Sequence, residues 1–434
     1  MYDLIVVGGG IAGLTAAYRN RDKNILLLEK EPVAGGRTLS RTLGDYVYNA
    51  GAQVIMGNES PVARLADELG VTRTLIDKTK VPLFFDGELY SASSQAGLLA
   101  KLPLSLLDKL RFGLGALRLQ RRYGALARRD FDPADPLIVE LNASTAAEFL
   151  GALTPDLRKV WDAVATISDG ESIDLTTAYH PIMIMLHFLH QEFAVVGGTH
   201  QLTLALGRAI GNKLRLGATV TEVRESEAGV EVTAKTLTGE ESFEAKRCVM
   251  AMPAPIVRDL IKTLPDWKRA ALEKIDYASQ TSAAFLLDGP SERWMGPGVW
   301  RVPVAGHRAC AITDPTFFYS DEEKRRSGKG LLRIYTGDLA SKDLQAMSRE
   351  EAIDDLKRDL DSIFPGVAGQ VIEADIAHWA LANPKWRVGH TDIYPALQAP
   401  AGAIHFCGDY TSPGYMNGSV LSAYRVAVEL EAAQ

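Results

Sequence analysis

The residues near the N-terminus have the types and spacing that bind a dinucleotide. Gly8, Gly10 and Gly13 form the pattern G-x-G-x-x-G, and Glu29 follows 21 residues after the first glycine. Glycines at these positions allow a tight turn, let a pyrophosphate approach the backbone and let a helix pack close to a sheet. A carboxylate at the position of Glu29 can accept hydrogen bonds from both ribose hydroxyls, and it repels a 2′-phosphate. The pattern predicts a dinucleotide other than NADP, without separating NAD from FAD.

The elements that must position these residues are recognisable in the sequence. Residues 4–7 form an apolar run rich in β-branched side chains, which is typical of a buried parallel strand. A helix-forming stretch follows Gly13, and residues 24–28 form a second apolar strand that ends at Glu29. The helix between the strands directs its N-terminal N–H groups and partial positive charge at the phosphates. This order predicts a Rossmann-like unit at the start of the chain.

Four segments of the chain resemble a known superfamily. The first, residues 29–38, ends in Gly-Gly-Arg-Thr, and the last, residues 404–420, contains Gly-Asp-Tyr-Thr and Gly-Tyr-Met-Asn-Gly. Between them lie a turn at residues 49–53 and a mid-chain patch at residues 197–253. These segments resemble flavin-containing amine oxidases, protoporphyrinogen oxidases and carotenoid desaturases. The resemblance implies an FAD-dependent oxidoreductase.

The motif and the resemblance together assign a set of residues to FAD. Arg37 would lie along the pyrophosphate, where its planar fork can bind phosphate oxygens bidentately. Asp409 matches an aspartate that holds the ribityl chain or a pyrophosphate-bound water, and Val220 matches the position whose backbone meets adenine. The cysteine that tethers flavin in some relatives would fall near Val388, so the resemblance implies non-covalent FAD. The residues assigned to FAD are Gly8, Gly10, Ile11, Ala12, Gly13, Glu29, Lys30, Gly35, Gly36, Arg37, Gly51, Ala52, Gln53, Val220, Ala251, Pro253, Gly408, Asp409, Met416 and Asn417.

Three residues are candidates for the chemistry itself. Tyr415 matches an amine oxidase position that faces the substrate beside the flavin ring, and the alternative for it is a structural aromatic. Trp379 and His390 lie in a segment that resembles the Trp…Pro…Gly-His segment of protoporphyrinogen oxidases. Trp379 would pack beside the flavin, and His390 would either accept a proton or stabilise a turn. The final helix, starting near Gly418, would direct its N-terminal dipole at the pyrimidine end of the ring and stabilise its negative charge.

The sequence leaves several reactions open. The expected step is hydride transfer from a substrate C–H to flavin N5, with reoxidation by O₂ or another acceptor. Many amine oxidases carry a lysine that holds a water at N5, but it would fall at residues 279–282, which are Ser-Gln-Thr-Ser. The missing lysine and the Gly-Asp-Tyr-Thr motif favour desaturase-like dehydrogenation of a C–C or C–N bond. The Gly-Tyr-Met motif favours an amine oxidase. Asn417 replaces a glutamate that is usual in both groups, so any role for that carboxylate is lost. Further alternatives are a redox-neutral isomerase or mutase using reduced FAD, and a binding protein that keeps FAD as structure.

The resemblance also implies how the chain is divided. At about 100–200 residues per domain, 434 residues suggest two or three domains. The expected fold combines α/β and α+β parts: a discontinuous, Rossmann-like FAD-binding domain and a substrate-binding domain of mixed sheet and helices. The FAD-binding domain would comprise residues 1–75, 198–275 and 396–434. The substrate-binding domain would comprise residues 76–197 and 276–395.

Composition limits the partners. The net charge of −7 disfavours nucleic acid, which usually requires a basic surplus. The three cysteines fit neither a metal site nor a disulfide framework, so no metal is expected. The chain starts without a signal-peptide pattern and has no long apolar run, so a cytoplasmic location without a transmembrane segment is expected.

Two leucine-rich segments allow alternative roles. Residues 97–125 interleave leucines with lysines and arginines. They form either a membrane-surface helix at the entrance for a lipophilic substrate or an amphipathic helix packed on the substrate domain. Residues 182–190 are more apolar, and either line the cavity above the flavin or form core. The substrate is expected to be a small, lipophilic molecule.

Overall fold

The computed structural model describes residues 1–77, 79–187, 191–227 and 229–432. The strands of this part of the chain are β1 (Tyr2–Val7), β2 (Ile25–Leu28), β3 (Ser40–Leu43), β4 (Tyr46–Asn49), β5 (Ile55–Met56), β6 (Arg73–Leu75), β7 (Val81–Phe85), β8 (Glu88–Ala92), β9 (Glu192–Val195), β10 (Leu214–Arg215), β11 (Thr219–Ser226), β12 (Gly229–Thr236), β13 (Gly239–Met250), β14 (Tyr277–Asp288), β15 (Arg301–Pro303), β16 (Ala309–Thr313), β17 (Lys329–Thr336), β18 (Val371–Pro384) and β19 (Ile404–Phe406).

The helices of the same residues are α1 (Ile11–Arg19), α2 (Pro61–Glu68), α3 (Gln95–Lys101), α4 (Leu106–Tyr123), α5 (Pro136–Asn142), α6 (Ala146–Leu150), α7 (Pro155–Asp169), α8 (Tyr179–His187), α9 (His200–Ile210), α10 (Ala254–Leu260), α11 (Asp266–Glu273), α12 (Glu292–Met295), α13 (Asp321–Ser327), α14 (Asp338–Gln345), α15 (Arg349–Ile363), α16 (His390–Gln398) and α17 (Tyr415–Ala432). Short 3₁₀ turns occur at Gly36–Thr38, Leu126–Arg128, Gly211–Lys213, Pro315–Phe318, Ala368–Gln370 and Asp409–Thr411.

The first strand lies inside a seven-stranded sheet of order β10-β2-β1-β13-β12-β11, with β19 added beside β13. β1 pairs in parallel with β2 and β13, and β13 pairs in parallel with β19. Successive side chains of a strand point to opposite faces. Leu4 and Val6 therefore join a core with α1, α9 and α17, whereas Ile5 and Val7 join a core with β12 and α10. Burial on both faces explains why the sequence of β1 contains a continuous apolar run.

A second, antiparallel sheet has the order β15-β16-β17-β14-β18. On β17, Leu332 and Ile334 pack into the core that faces α15. The alternate residues of that strand, among them Arg333 and Tyr335, point to the opposite face, which borders the cavity described below. Helices α4 to α8 form a further layer around a core that includes Trp386.

The predicted fold class is confirmed, because a Rossmann-like unit is combined with a second sheet and a helical layer. The strands of the seven-stranded sheet fall in segments predicted for the FAD-binding domain, and those of the five-stranded sheet fall in segments predicted for the substrate domain. The β3–β4 hairpin crosses this division, since Tyr46 and Tyr48 pack on the five-stranded sheet. The exact domain boundaries stay a prediction.

The two leucine-rich segments have different environments. Helix α4 buries only Asp108, Leu119 and Tyr123, so most of its leucines do not pack on the rest of the chain. In the second segment, Ile182 and Met183 belong to the helical core, while residues 188–190 lie outside the described residues. Among the described residues, no helix combines the length and apolarity needed to cross a bilayer.

Candidate active site

The turn between β1 and α1 is shaped by close backbone contacts that leave one opening. Gly8 has a φ of +105°, and a Cβ atom on Gly13 would lie 1.9 Å from the carbonyl oxygen of Gly8. A Cβ atom on Gly10, in contrast, would meet no atom within 4 Å. No side chain caps the N-terminus of α1 at Gly10. The turn therefore combines open space with helix N-terminal N–H groups, which is the environment that a phosphate requires.

Glu29 lies at the end of β2, as predicted, and is buried. Its Oε2 accepts a hydrogen bond from the Gly9 N–H at 2.5 Å, and its Oε1 accepts one from the Glu31 N–H at 2.9 Å. The Gly35 N–H donates to the Gly9 carbonyl oxygen at 2.8 Å. The carboxylate thus holds the glycine turn in place. Its contact with a ribose stays a prediction.

A cavity of about 810 Å³ extends from the glycine turn to Tyr415. The predicted residues that line it are Gly10, Ile11, Ala12, Arg37, Gly51, Ala52, Gln53, Ala251, Trp379, Gly408, Asp409, Tyr415, Met416 and Asn417. The predicted residues that do not line it are Gly8, Gly13, Glu29, Lys30, Gly35, Gly36, Val220, Pro253 and His390. Residues from both ends of the chain therefore meet in one cavity.

Arg37 and Asp409 form an ion pair on the cavity wall. Arg37 Nη1 donates to Asp409 Oδ2 at 2.5 Å and to the carbonyl oxygen of Ala382 at 2.6 Å. The Tyr277 hydroxyl donates to Asp409 Oδ1 at 3.1 Å. Burial alone would lower the pKa of Arg37, but the Asp409 carboxylate raises this pKa above its ordinary value. The guanidinium is therefore permanently charged.

Tyr415 has an unusual backbone conformation for a residue with a side chain. Its φ is +56°, in the left-handed region, which costs roughly 1–2 kcal/mol for a residue other than glycine. The Tyr415 hydroxyl donates to the carbonyl oxygen of Ser168 at 2.9 Å, at the C-terminal end of α7. Such strain persists when the surroundings fix the conformation, and it is concentrated at functional sites.

A buried histidine–aspartate pair fixes the loop before Tyr415. His180 Nδ1 lies 2.5 Å from Asp169 Oδ1, and its Nε2 lies 3.0 Å from the carbonyl oxygen of Pro413. Both ring nitrogens therefore face acceptor oxygens, a carboxylate oxygen on one side and a backbone carbonyl oxygen on the other. The Thr176 hydroxyl donates to the other oxygen of Asp169 at 2.5 Å. Both nitrogens of His180 are thus engaged in holding the loop.

Trp379 approaches the cavity from the five-stranded sheet. Its indole Nε1–H donates to the carbonyl oxygen of Ala50 at 2.9 Å, and Ala50 precedes Gly51 on the cavity wall. Across the strand pair, Trp379 is in register with Gln280, which also lines the cavity. The second sheet therefore contacts the turn at residues 49–53.

The comparison with known proteins agrees with this geometry. Residues 11–430 match the family described as flavin containing amine oxidoreductase. The chain belongs to this family.

Curated relatives span nearly the full length of the chain. The Dictyostelium discoideum protein named probable flavin-containing monoamine oxidase A is 23% identical over 99% of this chain and 98% of its own length. Coproporphyrinogen III oxidase of Mycobacterium tuberculosis is 25% identical over 91% of this chain and 89% of its own length. The solved structure of wild-type putrescine oxidase bound to putrescine superposes with a TM-score of 0.82 at 18% identity, covering 99% of both chains. At this identity the structural likeness shows a shared fold.

Membership of the flavin containing amine oxidoreductase family confirms that the chain is an FAD-dependent oxidoreductase. The residues present fit the cofactor, because the space at Gly10 is open and the N-terminus of α1 is uncapped. In addition, Nε2 of Gln53 is buried on the cavity wall without a hydrogen-bond partner among the described residues, so it is available to a polar ligand atom. The individual residue assignments to FAD stay predictions.

His390 lies away from the cavity. It is buried and stacks on Trp386, with 4.5 Å between the ring centroids. Burial, and secondarily the neighbouring His180, lower the pKa of His390 to about 3, so its imidazole is neutral at physiological pH. A histidine with this pKa is a weak base, which argues against a proton-accepting role for His390.

Several residues of the cavity were not expected from the sequence. His180 follows Tyr179 at the start of an apolar run, which could have marked it as a buried histidine. Arg333 is the one arginine in the otherwise apolar run 330–335. The buried Arg301–Glu192 ion pair, with 3.0 Å between Nη2 and Oε1, joins residues with no shared sequence pattern. All of these residues border the cavity.

Substitution of Gly10 by alanine is expected to weaken FAD binding by roughly tenfold or more, equivalent to about 1.4 kcal/mol. The methyl group would occupy the space through which a pyrophosphate approaches the backbone. The fold should be unaffected, because Gly10 has a φ of −72° and its Cβ would meet no protein atom within 4 Å. The measurements are titration of the apoprotein with FAD and thermal unfolding. Gly115→Ala is the control, since its Cβ is equally unobstructed but lies on α4. Equal FAD affinity of the two variants would contradict the assignment.

Proposed function

We propose that this enzyme dehydrogenates a C–C or C–N bond of a small lipophilic molecule, in the manner of a desaturase. The observation that carries the proposal is a set of apolar and aromatic side chains on the cavity wall, outside the residues predicted to bind FAD. They are supplied by α5, α7, α8 and β17, and they are Ile138, Ile167, Tyr179, Met183, Ile184 and Tyr335. A pocket of this kind binds an apolar substrate by removing its surface from water.

Charged side chains on the cavity wall favour an uncharged, lipophilic substrate over an ammonium ion. Asp409 is neutralised by Arg37, and Glu192 is neutralised by Arg301. Arg333 also lines the cavity, and no ion pair with a carboxylate is found for it among the described residues. A cationic amine would therefore meet a net positive charge in a region of low dielectric constant. The absence of the lysine from residues 279–282 also supports the desaturase-like alternative.

FAD, when bound, would supply N5 as the hydride acceptor, and O₂ or another acceptor would take up the electrons. Tyr415 and Trp379 are positioned to orient the substrate at the junction of the two sheets. The apolar wall excludes water, which protects the transfer from competing reactions. His180 and Asp169 hold the Pro413–Tyr415 loop, and because both ring nitrogens of His180 are engaged, it positions the loop rather than accepting a proton.

Two alternatives keep specific support. An amine oxidase is supported by the Gly-Tyr-Met motif at residues 414–416 and by the relative named as a probable monoamine oxidase. A redox-neutral isomerase or mutase using reduced FAD would use the same cavity without net reduction of the flavin by substrate. We propose non-covalent FAD, because the three cysteines are buried and none of them lines the cavity.

The proposed reaction can be tested by mixing the purified holoenzyme anaerobically with amines, cyclic ketones and polyenes. Loss of the flavin's long-wavelength absorbance with a polyene or a cyclic ketone is expected, since these substrates carry no positive charge. Return of the colour on admission of air would identify O₂ as the acceptor. Bleaching by amines alone would replace the proposal with the amine oxidase alternative. Turnover only after chemical reduction of the flavin would replace it with the isomerase.

Tyr415→Phe is expected to change kcat and KM while FAD content stays that of the wild type. The substitution removes the hydrogen bond to Ser168 and releases the ring from its fixed orientation, at a cost of about 1 kcal/mol. Tyr394→Phe is the matched control, because Tyr394 also donates to a carbonyl oxygen, that of Ser412 at 2.8 Å, but does not line the cavity. Loss of FAD with unchanged turnover would instead make Tyr415 a cofactor-packing residue.

We also propose that α4 rests on an anionic membrane surface. Five of its leucines are 55–81% exposed and occupy one face of the helix: Leu106, Leu107, Leu110, Leu114 and Leu117. The helix carries five basic residues and one acidic residue, although the chain as a whole has a net charge of −7. Exposed leucines beside basic side chains are typical of helices that lie in a lipid interface. Residues 126–131, directly after α4, line the cavity, so a lipophilic substrate could enter there from the membrane.

The double variant Leu110→Glu/Leu114→Glu is expected to lose roughly tenfold or more of the binding to anionic vesicles, since each buried leucine side chain contributes about 1.5–3 kcal/mol. The assay is co-sedimentation with phosphatidylglycerol–phosphatidylcholine vesicles, and wild-type binding should weaken as salt is added. Leu237→Glu/Leu339→Glu is the control, because these leucines are 96% and 77% exposed but lie elsewhere. Wild-type protein that stays in the supernatant with anionic vesicles would refute the membrane contact.

A further inference from the structure

Arg333 is a buried cation with no counter-charge among the described residues. Its side chain is 2% exposed and lines the cavity. Nε donates to Ser282 Oγ at 2.7 Å, and Nη2 donates to the carbonyl oxygen of Gly51 at 3.3 Å. In the part of the chain that the structure describes, Nη1 has no hydrogen-bond partner and no carboxylate pairs with the guanidinium. Two other arginines of the cavity wall, Arg37 and Arg301, are each paired with an acid.

A charge in this state is unfavourable in the protein alone. Removing a guanidinium from water carries a large penalty unless an opposite charge and hydrogen bonds offset it. Burial lowers the pKa of Arg333 to about 10, which still leaves the side chain protonated at neutral pH. The guanidinium of Arg333 therefore stays charged inside the protein. A negative charge that binds or forms beside it would stabilise it.

The position of Arg333 connects this charge to the cofactor. Gly51 belongs to the turn at residues 49–53, which is predicted to contact the flavin, and Trp379 holds the neighbouring carbonyl of Ala50. Ser282 belongs to the segment in which many amine oxidases have the lysine that this chain lacks. Arg333 reaches Ser282 from the adjacent strand β17, so its guanidinium lies beside the segment from which the lysine is missing.

We propose that Arg333 supplies a fixed positive charge to the flavin site and thereby raises the reduction potential of the bound FAD. The oxidised ring is neutral, whereas the ring that has received a hydride is an anion at neutral pH. A nearby cation in a low-dielectric wall stabilises only the reduced form. The proposal rests on FAD dependence but not on the identity of the substrate.

The test compares the midpoint potential of FAD in the wild-type holoenzyme with that in Arg333→Met and Arg333→Lys. Each protein is equilibrated anaerobically with a reference dye during slow reduction, so no substrate is required. The expected result is a lower potential in Arg333→Met and a potential close to the wild type in Arg333→Lys. The double variant Glu192→Gln/Arg301→Met is the matched control, because it removes one charge of each sign from the same cavity and should leave the potential unchanged.

An Arg333→Met holoenzyme with the wild-type potential would overturn the proposal. So would an Arg333→Lys potential as low as that of Arg333→Met, because the charge would then not be the cause. Where Arg333→Met does not retain FAD, Arg333→Gln replaces it, since glutamine can still donate to Ser282 but is neutral. A lowered potential together with no reduction by any polyene, ketone or amine would uphold the role of Arg333 and refute only the proposed reaction.

Discussion

The site depends on the parallel pairing of β13 with both β1 and β19. Val249 of β13 is in register with Val6 on one side and with His405 on the other. Because the three strands run in the same direction, the segments that follow them emerge at one edge of the sheet. Those segments carry Gly10, Ala251 and Asp409, and all three line the cavity. Two chain ends that are some 400 residues apart in the sequence are thus brought to the same cofactor site.

The five-stranded sheet supplies a second part of the cavity wall. It contributes Trp379, Gln280 and Tyr335 to the cavity, and the helices packed beside it contribute the apolar wall. Tyr415 belongs to α17 of the first unit, yet its conformation is fixed by Ser168 and His180 of the helical layer. The orienting role proposed for Tyr415 therefore depends on the contact between the two units. A substitution in α7 or α8 can alter turnover without touching the dinucleotide site.

The sequence was sufficient for the features that depend on contiguous residues. The β1–α1–β2 unit, its glycines and Glu29 are close in the chain, and each residue type has a local reason. The importance of Arg333 could not be predicted in this way. In an apolar strand that alternates between two faces, a lone arginine suggests a solvent-exposed face. Its face is instead covered by the β3–β4 hairpin and by the cavity wall, and that packing joins residues nearly 300 positions apart. The same holds for His180, whose partner Pro413 is distant in the sequence.

The turn at residues 49–53, which is predicted to contact the flavin, joins the two sheets at the cavity. It follows β4, whose tyrosines pack on the five-stranded sheet, and its carbonyl oxygens accept hydrogen bonds from Trp379 and Arg333 of that sheet. The glycine turn and α1, which would bind the pyrophosphate, pack against the seven-stranded sheet. The residues proposed to tune the flavin ring and those predicted to bind the dinucleotide therefore lie on different sheets. Substitutions in the five-stranded sheet can change the reactivity of the flavin while leaving the dinucleotide site intact, so one fold can serve oxidases and dehydrogenases with different substrates.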